Sequence, residues 1–244
     1  MAFSRIVLPR ERPSEAQLTR AMVGIGMRFA AEPDWSANIE DTLLFASEAG
    51  MEQGDLRVLS VLVTWFGIHA PWVNADRLVR ITREHPSERV RAFWSAMGRW
   101  QGRDRRFARL EKVYEGPRID LLRVGTDFQV RRRGEDARFE GSALRVPAGV
   151  LRDRAADVLD PRVLCRRHRA YRYRVMMGPT YRADMWAALE ADPGLPAAEL
   201  ARRTYGSFAT AWQVRRDYLL VHGGVASAET SPPDGTTPAA AAAT

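Results

Sequence analysis

The stretch YRADMWAALEADPGLPAAELARRTYGSFATAWQVRRDYLLV, residues 181–221, decides how this chain is read. Its first part, Tyr181 to Leu189, sets Met185, Trp186 and Leu189 on one face of a helix. Asp192-Pro193-Gly194 breaks that helix. Pro196 stands at the first turn of a second helix, Ala197 to Thr204, where its missing N–H costs nothing. This helix turns Ala198, Leu200 and Ala201 inward. Thr204-Tyr205-Gly206 reads as a tight turn, with the glycine expected to take the left-handed conformation. Ser207 is placed to cap a third helix, whose seam of Ala211, Val214, Tyr218 and Val221 is spaced to pack inward. Ala209, Thr210, Gln213, Arg216 and Asp217 fall on the opposite face. Three short amphipathic helices joined in this way make a helix-turn-helix.

Immediately before it the charge is lopsided. The chain has 244 residues and a formal net charge of +7. The span from Gly116 to Arg182 holds 16 arginines against 8 acids, so the remainder is close to neutral. Between Pro161 and Ala183 there are seven arginines and no acid. Of the 37 basic residues 36 are arginine and only Lys112 is lysine, a skew that the codon bias of a GC-rich genome would produce, but such a bias does not make the excess local. A concentrated cationic segment beside a helix-turn-helix favours a polyanionic partner, duplex DNA first. Tyr171, Tyr173 and Tyr181 are interleaved there, a pattern that also suits single strands, although tyrosines at such spacing are as often core residues.

Upstream, residues 1–34 are expected to form a poorly ordered N-terminal arm with one helix near Glu15 to Phe29. Residues 35–114 form a helical domain. Asp55 caps a strongly apolar helix (Leu56, Leu59, Val63, Phe66) that Pro71 ends. Asn74 caps a short helix to Arg83, itself a candidate for a second helix-turn-helix, and Ser87 opens another through Phe93, Trp94 and Met97. In 115–150 the pattern changes. Leu121–Val124 and Asp127–Val130 flank Gly125-Thr126, and Gly134 and Gly141 punctuate further extended runs, so a β-hairpin element is predicted. Residues 151–180 are an arginine-rich connector, 181–224 the helix-turn-helix, and 225–244 a disordered tail of Ser, Thr, Pro and Ala. The fold class expected is mainly α, with an N-terminal helical bundle, a small β-hairpin insertion and a C-terminal helix-turn-helix.

The phrase LPAAELARRTYGSFATAWQVRRDYLL resembles the helix-turn-helix core of winged-helix DNA-binding proteins, over about 40 residues of the C-terminal part. The resemblance implies a DNA-binding protein, a transcriptional regulator or a regulator of antitoxin type, and not an enzyme. His222-Gly223-Gly224 and the tail leave no strand pair for a C-terminal wing, so a wing would have to come from residues 121–147. On this reading Thr210, Gln213 and Arg216 contact bases, with amide-to-adenine and guanidinium-to-guanine pairing available. Ser207 and Arg203 contact the backbone. Arg166, Arg167, Arg169, Arg172 and Arg174 hold phosphates without sequence preference.

Two other classes stay open. Wide apolar faces and seven tryptophans suit a homodimer or a protein partner on the helical domain, an adaptor of a bacterial defence or toxin–antitoxin module. Arg80-x4-His85 and Arg162-x5-His168 match the arginine–histidine spacing of all-helical ribonucleases, in which the arginine holds a phosphate and the histidine moves a proton. Arginine is frequent enough here that two such matches arise by chance. Metal and cofactor sites are not expected. The four histidines lack ligand spacing, one cysteine (Cys165) makes no thiol site, and no phosphate-binding glycine loop is present. That cysteine and the absence of a signal peptide or a bilayer-length apolar run point to a cytoplasmic protein and no membrane partner.

Overall fold

The computed structural model describes Pro9 and residues 11–223; the tail expected over 225–244 lies outside them. The described residues form a mainly α-helical protein, as the sequence predicts. Its body is a bundle of α1 (Glu15–Gly24), α2 (Ile39–Gln53), α3 (Leu56–His69), α4 (Ala75–Arg83), α5 (Glu88–Trp100) and α6 (Ala108–Glu111). The starts of α3, α4 and α5 carry the predicted caps. Asp55 Oδ1 accepts from the Val58 N–H at 2.9 Å, Asn74 Oδ1 from Arg77 at 3.1 Å, and Ser87 Oγ from Val90 at 3.2 Å. α3 is apolar nearly all round and therefore central, with Leu59, Val63, Trp65 and Phe66 fully buried. The tryptophans at 65 and 94 point into this core, so the apolar faces that suggested a partner surface are used inside the bundle. α4 likewise buries Leu78, Val79 and Ile81 and has no free reading face for a second helix-turn-helix.

Two segments differ from expectation. Residues 11–34 are no loose arm. α1 starts with a capping box between Ser14 and Gln17, and Ile25 and Met27 are buried. The Trp65 indole N–H donates to the Ile25 carbonyl at 2.7 Å, and Met27 pairs with Val158 in an antiparallel bridge. In 115–150 the predicted hairpin is replaced by a helix, α7 (Thr126–Arg133), between β1 (Ile119–Asp120) and β2 (Leu144–Arg145). The two short strands are parallel, Ile119 opposite Leu144 and Asp120 opposite Arg145. Alternation in a short run cannot outweigh good helix ends. Asp127 lies in the first turn of α7 and Arg131, Arg132 and Arg133 in the last, each complementing the helix dipole. Phe139, Leu144 and Val146 of this segment join the core of the body, so it is not a wing for the C-terminal helices.

The connector is two helices, α8 (Pro161–Arg167) and α9 (Arg169–Met177), laid on the body through Leu164 and Tyr171. α10 (Tyr181–Ala191), α11 (Ala197–Arg203) and α12 (Phe208–His222) come next, within a residue or two of the predicted bounds. They enclose a separate small core of Met185, Leu189, Leu195, Leu200, Val214 and Tyr218. Among the described residues no helix is long and apolar enough to cross a membrane.

Candidate nucleic-acid interface

The turn between α11 and α12 has the predicted length but a different physics. Tyr205, not Gly206, takes the left-handed conformation, at φ 57°. A tyrosine tolerates this only when other contacts hold it. Its hydroxyl donates to Asp41 Oδ2 at 2.6 Å, and the Arg77 guanidinium lies 3.4 Å from its ring centre. Gly206 is required for space instead: a Cβ there would come within 2.1 Å of the Met185 methyl, in the small core.

Ser207 caps α12 as predicted, its Oγ accepting from the Thr210 N–H at 3.1 Å. The Ser207 and Thr210 hydroxyls also pair at 2.7 Å, so each has a local partner already. The inward seam is Ala211, Val214 and Tyr218; Val221, expected to continue it, is 69% exposed, and His222 packs beside Trp186 of α10 instead, their ring centres 6.1 Å apart. On the outer face Gln213 and Arg216 are exposed. Phe208 (58% exposed) and Trp212 (45%) stand among them, four residues apart, and the Arg216 guanidinium lies 5.6 Å from the Trp212 ring centre. The i, i+4 spacing of these aromatics, opposite the buried seam, is the signal that identifies them in the sequence.

Arginines around this unit share carboxylates two by two. Arg169 (3.2 Å) and Arg172 (2.5 Å) meet Glu190. Arg202 and Arg203 meet Glu199, the latter at 2.7 Å. Arg182 (2.9 Å) and Arg216 (3.2 Å) meet Asp217, a pairing that joins α10 to α12. Hydrogen bonds from Arg202 and Arg203 bring the Glu199 carboxyl down to about 2, and those from Arg182 and Arg216 lower Asp217, so these two clusters each keep one surplus positive charge at neutral pH. These exposed pairs are screened and exchangeable, and an arginine leaving one for a phosphate leaves no orphaned acid behind. Arg166 is exposed on α8, and Arg167 stacks 5.4 Å from the Trp35 ring centre.

Arg174 is a different case and corrects the prediction for it. Its side chain is 1% exposed and lies between two carboxylates. Nη1 and Nη2 bond Glu40 at 2.6 and 2.8 Å; Nε and Nη2 bond Asp184 at 2.7 and 2.9 Å. No phosphate can reach it. The acid-free stretch of sequence draws its counter-charge from α2 and α10, which only the tertiary fold brings near. Glu40 and Asp41, adjacent in the first turn of α2, thus clamp two places: Glu40 holds Arg174, and Asp41 holds Arg77 at 2.7 Å and Tyr205. Burial pushes the Asp41 and Asp184 carboxyls up against the lowering influence of their arginines.

The histidines of the two Arg-x-His pairs are interior. His168 Nε2–H donates to the Ala37 carbonyl at 2.9 Å, and Nδ1 accepts from the Tyr171 N–H at 3.1 Å. His69 is held the same way, Nε2–H to the Leu159 carbonyl at 3.0 Å and Nδ1 to the Tyr171 hydroxyl at 2.7 Å. A carbonyl can only accept, so both rings carry a proton on Nε2, and the Tyr171 N–H requires a bare Nδ1 on His168. Burial lowers His168 and His69 to about 4. His85 is buried beside Glu48, its Nδ1 accepting from Ser87, and burial lowers it too. Neither ribonuclease pair presents a histidine to a substrate. Among the described residues no group of His, Cys, Asp and Glu is arranged to hold a metal.

No family model matches this chain, and no curated protein or solved structure matches it either.

Proposed function

We propose that this protein binds duplex DNA through α10–α12, as a transcriptional regulator or a regulator of antitoxin type. The observation that carries the reading is α12, a capped helix held by its own three-helix core and by the Asp41–Tyr205 clamp, with Gln213 and Arg216 exposed along it. Such a helix can enter a major groove while α11 crosses the backbone. Gln213 and Arg216 read base edges, and Phe208 and Ala209 give apolar contact to thymine methyl groups. Arg203 reaches phosphates by leaving Glu199; Arg166, Arg167, Arg169 and Arg172 add sequence-independent affinity. Ser207 and Thr210 set the helix start rather than reach far from it.

Selection of bound fragments from random duplexes at two salt concentrations tests this. Enrichment of one motif is expected, with log Kd rising by about 3 units per decade of salt if three or four phosphates are neutralised. Gln213→Ala should relax preference at one base pair at a cost of roughly 1–3 kcal/mol. No retention of duplex at the lower salt concentration would sink the proposal. A second reading, a protein partner or a second copy on α12, is favoured by the exposed Trp212, Leu220 (76%) and Val221 (69%). Mass measurement in solution, with a Trp212→Ala comparison, separates it from the first.

A further inference from the structure

α7 stands clear of the body. Of its eight residues only Thr126 is buried. Its ends are nonetheless fixed. At the start Asp127 meets the Arg145 guanidinium at 2.6 Å, and Arg145 also holds Asp120 at 2.7 Å, so one ion cluster ties α7 to β1 and β2. At the far end the Gly134 carbonyl accepts from the Ala148 N–H at 3.0 Å. The helix therefore presents its outer face in a set orientation.

That face joins an uncovered ring to uncompensated charge. Phe128 is 65% exposed, and among the described residues no other ring or guanidinium packs on it. Arg131 and Arg132 follow it by three and four residues. They project about one turn on, roughly 60° to one side of the ring and roughly 40° to the other. Both are exposed, as is Arg133. Arg131 donates to the Asp127 carbonyl of its own helix at 3.4 Å, and none of the three has a carboxylate partner among the described residues. Asp127, the only acid of α7, is taken by Arg145. Three positive charges are thus available without breaking an ion pair.

A ring with a guanidinium group on either side is the complement of a nucleotide within a strand, which is a flat base with a phosphate on either side. In a duplex the bases stack on one another and pair, so none offers a face to Phe128. An acidic peptide supplies charge but no flat group between its charges. A single strand matches both halves of the pattern.

We propose that α7 binds single-stranded nucleic acid, with one base stacked on Phe128 and the adjoining phosphates held by Arg131 and Arg132. Arg133 adds attraction that does not depend on sequence. No residue of α10–α12 takes part, so this proposal and the duplex proposal fail independently.

Fluorescence anisotropy on the full chain, with labelled oligothymidylate and oligouridylate of about 12 nucleotides, tests it. Binding is expected at low salt, and the tighter of the two strands tells DNA from RNA. Phe128→Leu keeps an apolar side chain but removes the stacking face. It should weaken binding about 5- to 150-fold, whereas Phe128→Trp should preserve it. Replacing Arg131 and Arg132 together by alanine should lower the slope of log Kd against log salt by about 1.4, the share of two phosphate contacts on a single strand. All three side chains lie at the surface, so the variants keep the parent fold. Equal affinity in Phe128→Leu would overturn the proposal. So would a duplex of the same length bound as tightly and with the same loss in Phe128→Leu, or displacement of the strand by polyglutamate at equal charge. No change in anisotropy at the lower salt concentration, up to ~100 μM protein, would also sink it.

Discussion

Tyr171 joins the two buried imidazoles, giving its N–H to His168 and its hydroxyl to His69. Burial favours the neutral form of both rings in the folded state. A histidine lowered to about 4 when folded and near 6.5 when unfolded binds its proton first in the unfolded chain. Its neutral burial is therefore without penalty above pH 6.5, and stability falls as pH drops from there toward 4. The raised carboxyls of Asp41 and Asp184 act in the opposite sense, since acid protonates them first in the folded state. A difference between variants isolates the histidine. His168→Asn keeps an acceptor for the Tyr171 N–H and removes the titration. In urea denaturation this variant should be the less stable protein at pH 7, and the gap should close by about 3 kcal/mol by pH 4. A gap independent of pH would mean that His168 is not buried in its neutral form. The sequence sets His168 at a tempting distance from Arg162; what makes it structural is the Ala37 carbonyl, distant in the chain, together with the Tyr171 N–H one turn on.

At the level of elements, caps and end charges predict helices better than apolar periodicity predicts strands. Asp55, Asn74, Ser87 and Ser207 each begin the helix expected of them. The sequence conceals α7 because Leu121–Val124 and Asp127–Val130 alternate over too few residues to separate strand from helix. Gly125 has the look of a hairpin turn and is in fact the N-cap of α7, at φ 82°. Only the backbone angle constrains that position, since an added Cβ would meet nothing within 4 Å. Gly125→Ala should therefore cost about 1 kcal/mol, seen as a lower urea midpoint with an unchanged slope. A neutral result would show that the left-handed conformation is not required for α7 to start. The α11–α12 turn teaches the converse. Its glycine is legible, but the left-handed residue is Tyr205, and the contacts that hold it come from α2 and α4.

Across the whole molecule, the C-terminal unit has its own core yet is fastened to the body by buried charge. Glu40, Arg174 and Asp184 tie α2, α9 and α10 together; Asp41, Arg77 and Tyr205 tie α2, α4 and the turn before α12. Removing one member of a buried ionic group leaves the others unpaired in a low dielectric, at roughly 3–5 kcal/mol. Arg174→Ala should therefore destabilise the protein by that amount, and scanning calorimetry should resolve two transitions where the parent has one. A single transition, shifted by less than about 1 kcal/mol, would mean that the two cores are coupled by other contacts.

What the sequence determined by itself was local: the mainly helical class, most helix starts, and the three helices with their glycine turn from 181 to 221. These come from caps, breakers and spacing within a few residues. The tertiary structure alone decided where the charge goes. The arginine-rich stretch looks uncompensated in the sequence because its acids, Glu40, Asp184 and Glu190, lie before or after it in the chain. Folding brings them within bonding distance, buries Arg174 for good, and leaves Arg166, Arg167, Arg169 and Arg172 at the surface. Attraction between charges depends on separation in space and on the water between them, and neither is written in the order of residues.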